Sequence, residues 1–192
     1  MKNALIIFVR NPELGKVKTR LAAQIGNEKA LDIYMKLLQH TRQVAFKADC
    51  DKYVFATEPL QDDTWKDFNV EQQADGDLGE KMSHAFKTIY EKGYEKVSII
   101  GSDCPDLSSK IIKEAFEKLD EKDIVIGPAK DGGYYLLGLK KLYPEIFREK
   151  NWSTGSVFNE TVESLNHLKL SFHQLVTLTD LDEEKDIPLT WR

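Results

Sequence analysis

The stretch that most constrains the fold is Lys96-Val97-Ser98-Ile99-Ile100-Gly101-Ser102-Asp103-Cys104-Pro105-Asp106-Leu107. Val97, Ile99 and Ile100 are apolar and β-branched, which suits a strand covered on both faces. Gly101 releases the backbone into a turn, Asp103 follows just past the carboxyl end of the strand, and Pro105 fixes φ. Ser108 is placed to cap a helix whose apolar face is Ile111, Ile112, Ala115, Phe116 and Leu119. In open parallel sheets, ligands bind in the crevice outside strand ends of this kind. A carboxylate at such a position can hold a divalent cation against a phosphate. It can equally do no more than satisfy backbone donors in a tight turn.

Ala4-Leu5-Ile6-Ile7-Phe8-Val9 is a continuous apolar run and predicts a central, fully buried first strand. The loop that follows, Arg10 to Leu21, contains Pro12 and Gly15 and carries four cations: Arg10, Lys16, Lys18 and Arg20. Backbone N–H groups and a helix amino terminus attract an anion in such a place, and Lys and Arg neutralise it. The spacing matches neither a Walker A loop nor the Gly-x-Gly-x-x-Gly dinucleotide fingerprint. A run of charge can also be a solvated face. Its position directly after the first strand of an acidic protein favours phosphate binding. The net charge of −5 and pI of about 5.5 argue against nucleic acid as a partner, because a phosphate backbone needs a basic surface.

Residues 28–48 show helical spacing of Ala30, Tyr34, Leu37, Leu38, Val44 and Ala45. Tyr53-Val54-Phe55-Ala56 predicts a second strand, residues 62–66 a short polar helix, and 69–73 an edge strand. The glycine-marked loop Asp75-Gly76-Asp77-Leu78-Gly79 then feeds a helix with Met82, Ala85, Phe86 and Ile89 inward. That loop either contacts the ribose or base of a nucleotide or sets its acids on the helix dipole. Residues 123–128 predict another short buried strand, running into Asp131-Gly132-Gly133. Asp-Gly-Gly signals a turn and also allows a ligand close to the backbone. Residues 134–139 suit a further strand, of a direction that periodicity does not give. Trp152-Ser153-Thr154-Gly155 reads as a pocket lining or as a packed core tryptophan. Residues 171–178 predict the last strand, with His173 as a structural residue, and residues 180–187 place carboxylates at its end.

With 192 residues, 41% hydrophobic and 31% charged, and no repeat or linker, the chain is expected to form one globular domain over 1–192. Strands alternating with helices predict a three-layer α/β/α sandwich with a mostly parallel sheet. Right-handed crossovers put the basic loop, Asp77, Asp103, Asp131 and Asp182 on one rim. Asp103 and Asp182 are expected to face each other there with no cation between them. Cys50 and Cys104 make no disulfide framework, and neither they nor the four histidines show zinc-ligand spacing. The longest apolar run is far short of the roughly 20 residues of a membrane span, and no cleavage site follows it. A cytoplasmic protein without a membrane partner is the expectation.

Several segments carry a resemblance: Phe8-Val9-Arg10-Asn11-Pro12 with Gly15-Lys16-Val17-Lys18-Thr19-Arg20-Leu21, Gly76 to Met82, and Gly101 to Leu107. Gly127-Pro128-Ala129 with Asp131-Gly132-Gly133-Tyr134-Tyr135-Leu136, Trp152-Ser153-Thr154, and Asp180-Leu181-Asp182 with Asp186 continue it in order. These resemble the GT-A-fold superfamily of nucleotide-diphospho-sugar transferases. Within it the chain looks like a small bacterial family once described only as a domain of unknown function. Its members are often labelled glycosyltransferases associated with arsenosugar biosynthesis.

The resemblance implies a glycosyltransferase dependent on Mg²⁺ or Mn²⁺, with a nucleotide-diphosphate sugar donor and a small-molecule acceptor. It implies that Asp103 and Asp182 hold the metal. Arg10, Lys16, Lys18, Arg20, Asp77 and Lys81 would bind the nucleotide and its phosphates, with Lys18 and Arg20 also stabilising the leaving group. Gly132, Gly133, Trp152 and Ser153 would face the substrate, and Asp131 would orient or deprotonate the acceptor. Lys18-Thr19-Arg20-Leu21 and the Asp182…Asp186 ending also recur in nucleotidyltransferases of the same fold. The alternative is therefore transfer of a nucleoside monophosphate to a phosphorylated small molecule with release of pyrophosphate. A third reading is nucleotide binding without turnover. The chain lacks the Gly-x-Gly-x-Arg loop of the typical sugar-nucleotide pyrophosphorylases.

Overall fold

In the computed structural model, which describes residues 2–191, the apolar runs become the middle of a seven-stranded sheet of order β3-β2-β1-β4-β6-β5-β7. The strands are β1 (Asn3–Val9), β2 (Asp51–Ala56), β3 (Asn69–Gln72), β4 (Lys96–Ile100), β5 (Ile124–Pro128), β6 (Tyr134–Leu139) and β7 (Phe172–Gln174). All are parallel except β6, which runs against both its neighbours, β4 and β5. Helices α1 (Thr19–Ile25), α2 (Asn27–Phe46) and α4 (Ser109–Glu121) cover one face, and α3 (Leu78–Glu91) and α5 (Val157–His167) the other. The result is the α/β/α sandwich expected from the alternation.

Strand β1 shows why its run is unbroken rather than alternating. Leu5, Ile7 and Val9 point into one apolar layer and Ala4 and Ile6 into the other, all of them buried. A strand covered on both faces has no polar side. Helix α4 begins as its sequence predicts: the Ser108 hydroxyl accepts a hydrogen bond from Ile111 N at 3.4 Å. It buries Ile112, Ala115, Phe116 and Leu119. Strand β3 lies at the sheet edge, as predicted.

One segment resolves a direction that was left open, and another differs from expectation. The direction of β6 follows from chain length. Only residues 129–133 join β5 to β6, and a parallel crossover needs a dozen or more. The predicted strand over 171–178 keeps its ladder only for Phe172–Gln174. The register of β5 shifts between Gly127 and Pro128, and Pro128 has no N–H to give. Beyond that point the chain stays close through Leu178 N donating to Pro128 O (3.1 Å) and Lys130 N donating to Leu178 O (2.9 Å). It then crosses to the turn after β4, where Leu181 N donates to Asp103 O at 2.9 Å. No helix among the described residues is long and apolar enough to cross a membrane.

Candidate functional site

A cavity of about 810 Å³ opens at the carboxyl ends of β1 and β4. The loop after β1 forms one wall and is held at its start by α2. The Tyr34 hydroxyl accepts from Arg10 N (3.2 Å) and donates to Arg10 O (3.1 Å). Arg10, Lys16, Lys18 and Arg20 all line the cavity. They are not equivalent. The Lys16 ammonium is well exposed and pairs with Glu13 at 2.6 Å. Arg20 is exposed and reaches Asp182 Oδ2 at 3.3 Å. Lys18 instead turns inward, its side chain only 7% exposed, with Nζ 2.6 Å from Asp103 Oδ1 and 3.3 Å from Asp182 Oδ1.

Asp103 and Asp182 are thus brought to one rim, although far apart in sequence. The Leu181–Asp103 backbone bond is the tie. The expectation that no cation stands between them does not hold, because Lys18 bridges them. Burial alone would lower the Lys18 pKa, but Asp103 and Asp182 together outweigh it and leave the ammonium more firmly protonated than usual. Asp186 works through the backbone: its carboxylate accepts from Asp182 N (3.4 Å) and Glu183 N (2.9 Å), which fixes the turn carrying Asp182.

Asp180 also lines the cavity, and the sequence reading gave it no role. Its carboxyl is pushed up to about 7, first by burial and then by Asp103, Asp131 and Asp182, with Lys18 acting in the opposite sense. The signal for it was present in Asp180-Leu181-Asp182. In an extended segment alternate residues share a side, and Leu181 between them is fully buried.

Asp131 lies in the β5–β6 turn. Its Oδ1 accepts from Gly133 N at 2.9 Å, so Oδ2 is the oxygen left for other partners. Asp131, Gly133, Trp152 and Ser153 line the cavity. Gly132, at φ 91°, is not among its lining residues; the backbone approaching it closely is the chain's own, since a Cβ there would stand 2.1 Å from Gly155 O. The Asp131 turn and the 152–155 loop are therefore packed backbone to backbone. Trp152 closes the far side: its ring lies so near Gly79 in α3 that a Cβ there would stand 2.6 Å from Trp152 Cζ2.

The Asp77 side chain is not at the cavity. It accepts from Glu80 N (2.9 Å), and Glu80 Oε2 accepts from Asp77 N (2.9 Å), a reciprocal cap on α3. Of the two readings of that loop, the acid on the helix start is the one its side chain follows. Lys81, one turn on, does line the cavity. Cys104 lies beside Asp103, but burial, and then Asp180, push its thiol up to about 12. It stays neutral near pH 7 and is no ready nucleophile. No histidine lines the cavity among the described residues.

The carboxylates suit a hard divalent cation by chemistry, and they already hold a positive charge between them. Among the described residues no group of three metal-ligating side chains is close enough to bind an ion unaided. Mg²⁺ is commonly bound by one or two carboxylates plus substrate phosphates and water. Asp103 and Asp182 fit that partial role.

The profile of the family described as "Uncharacterized protein conserved in bacteria (DUF2064)" matches residues 31–154. No curated protein matches the chain. Among solved structures, a protein of Desulfovibrio desulfuricans G20 assigned as a nucleotide-diphospho-sugar transferase is 33% identical, with a TM-score of 0.89 over 95% of this chain and 84% of that one. CMP:2-keto-3-deoxy-manno-octonic acid synthetase, solved with CTP, is 8% identical with a TM-score of 0.61 over 96% and 95% of the two chains. Glucosyl-3-phosphoglycerate synthase of Mycobacterium tuberculosis, solved with Mn²⁺, UDP and glucosyl-3-phosphoglycerate, is 11% identical with a TM-score of 0.55 over 93% and 70%. The last two likenesses are of fold.

Proposed function

This chain belongs to that bacterial family, DUF2064, and on that premise we propose that it is a nucleotide-using transferase, specifically a glycosyltransferase with a nucleotide-diphosphate sugar donor. The observation that carries the reading is the meeting of Lys18, Arg20, Asp103 and Asp182 in one cavity at the strand ends. Cations facing carboxylates on one rim suit a diphosphate brought in with a divalent cation. Mg²⁺ or Mn²⁺, held by Asp103 and Asp182, would neutralise charge on the departing phosphate.

The chain's own groups do the rest. Arg20 and Lys18 offset charge as it develops on the leaving nucleoside diphosphate. Arg10, Lys16 and Lys81 draw the anion to the cavity mouth. Asp131, through Oδ2, orients the acceptor hydroxyl and takes its proton as the hydroxyl oxygen bonds to the sugar. Trp152, Ser153 and Gly133 bound the space beside Asp131 where the acceptor sits.

The second reading, nucleotidyl transfer, is favoured by the number of cations on the loop after β1. Four of them line the cavity, which balances a triphosphate better than a diphosphate. One experiment tests both readings. The protein is incubated with nucleotide sugars, or with nucleoside triphosphates plus sugar phosphates, with and without Mn²⁺, and the released phosphates are identified. Nucleoside diphosphate release supports the first reading, and pyrophosphate release the second. Asp103→Asn should slow the metal-dependent reaction by roughly 10²–10³-fold. An Asp103→Asn protein with full metal-dependent activity would return Asp103 to the role of a turn residue.

A further inference from the structure

The place between Asp103 and Asp182 is filled by a cation of the chain itself. Lys18 Nζ contacts Oδ1 of both carboxylates, at 2.6 and 3.3 Å, on a side chain that is almost wholly buried. The backbone is committed to this arrangement. Lys18 is the N-cap of α1 and has φ 47° and ψ 45°, a left-handed conformation that residues with a Cβ enter only against steric cost. Its carbonyl accepts from Ala22 N at 2.8 Å, the first bond of the helix. A solvated lysine reaching across to an acid requires none of this.

A Mg²⁺ ion on those carboxylates would lie about 2.0–2.1 Å from the oxygens it uses. An ammonium hydrogen-bonded to the same oxygens leaves no room for that, and the two positive charges repel each other. We infer that Lys18 and a divalent cation are alternative occupants of the Asp103–Asp182 pair, exchanged when a polyphosphate draws the ammonium away. The inference rests on the metal reading proposed above and adds an order to it. The nucleotide-free protein binds the metal weakly, because Lys18 must first be displaced. A bound phosphate chain offers the ammonium another partner and the metal further oxygens, so nucleotide and metal enter together. Lys18 thereby rejects free divalent cations and admits those that arrive with phosphate.

Arg20 provides the control. It also reaches Asp182, at 3.3 Å, but from an exposed position, and its ion pair is with Asp182 and not with Asp103. Removing it subtracts the same charge without emptying the place between the carboxylates.

The test is Mn²⁺ binding to the full chain without nucleotide, read by the loss of the free-ion electron paramagnetic resonance signal. The proteins are wild type, Lys18→Met and Arg20→Met. Lys18→Met should bind Mn²⁺ at least about tenfold more tightly than wild type, within the usual 5–150-fold span of coupling between sites, while Arg20→Met should stay within about threefold. Thermal midpoints give a second readout: Mn²⁺ should raise that of Lys18→Met more than that of wild type. If Lys18→Met does not fold, Lys18→Gln, which keeps a polar end, is read in the same way. Equal tightening in the Lys18 and Arg20 variants would reduce the effect to net charge and overturn the exclusion, as would equal binding by all three proteins, with the metal reading left standing. No Mn²⁺ binding to any of them, even with inorganic pyrophosphate added, would remove the metal reading and the exchange together.

Discussion

Lys96 and Lys18 have side chains that are 6% and 7% exposed, and they lie toward opposite ends of β4. Lys96 begins the strand; its ammonium donates to Phe116 O at 3.3 Å and to the half-exposed Asp120 carboxylate. Lys18 reaches the acids just beyond the strand's other end. Burial and an ion pair are common to both, so neither property marks a functional cation. The difference lies in the surroundings. Lys96 has one carboxylate and sits in regular strand, paired with Asn3. Lys18 has contacts to two carboxylates, stands near a third in Asp180, and holds a left-handed backbone. Several acids gathered about one ammonium have use for another positive charge; a balanced pair does not.

The largest expected effect that would break this comparison is on turnover. Lys18→Met should lower metal-dependent kcat/KM by roughly 10²–10³-fold, the size seen when one preorganised charge-stabilising group is lost. Lys96→Met should stay within about twofold in the same assay. Similar losses would mean that both lysines act only through stability.

Next in size are effects on folding, read by urea denaturation. Asp120→Ala leaves the Lys96 ammonium buried with a carbonyl as its remaining partner, and should cost about 1–3 kcal/mol. Asp103→Asn should cost about 1 kcal/mol or less, because Lys18 keeps Asp182 and a half-exposed acid contributes little once screened. This differs from what the sequence suggests, where two unshielded acids would leave the Asn variant as stable or more so. The outcome that would contradict it is an Asp103→Asn loss as large as that of Asp120→Ala.

The smallest effect is with pH. The folded pKa of Lys18 is raised above its ordinary 10.5. The stability owed to its charge is therefore complete below about 10.5 and is lost as pH rises through the folded value. The stability difference between wild type and Lys18→Met should be level over the last unit or so below about pH 10, above the range near pH 7 where Asp180 titrates. A steady decline over that last unit would mean that the ammonium is not held as the geometry indicates.

The central strands were legible because a doubly covered strand writes itself as an apolar run, unbroken in Ala4–Val9 and interrupted only by the buried Ser98 in Val97–Ile100. The Asp103 turn was legible from Gly101, Pro105 and Ser108, whose backbone roles are local. The direction of β6 could have been read from the shortness of the 129–133 connection, but not from residue pattern. Lys18 between the acids was not legible: its inward turn depends on a left-handed backbone at a residue other than glycine, which composition does not signal. Asp180 escaped because its neighbours in space come from three other loops, while in sequence it is one acid among several. At Gly132 the close approach is made by Gly155, and a glycine needed for close approach looks the same in sequence whether a ligand or another loop comes near.

The bond from Leu181 to Asp103 bears on how the molecule reaches its working form. Lys18 and Asp182 are 164 positions apart, a closure that pairing of the sheet does not itself require. A chain can align its strands and close most of both apolar layers, all but the place that Leu181 fills, while the segment from Leu178 to Asp182 is still loose. Such a species would already have its helices and yet lack half of its carboxylates. Contacts between distant parts of a chain are slow to form, and during synthesis the basic loop leaves the ribosome long before the tail that completes it. Recovery of ligand binding would then lag behind recovery of secondary structure on refolding, with docking of the tail as the final step.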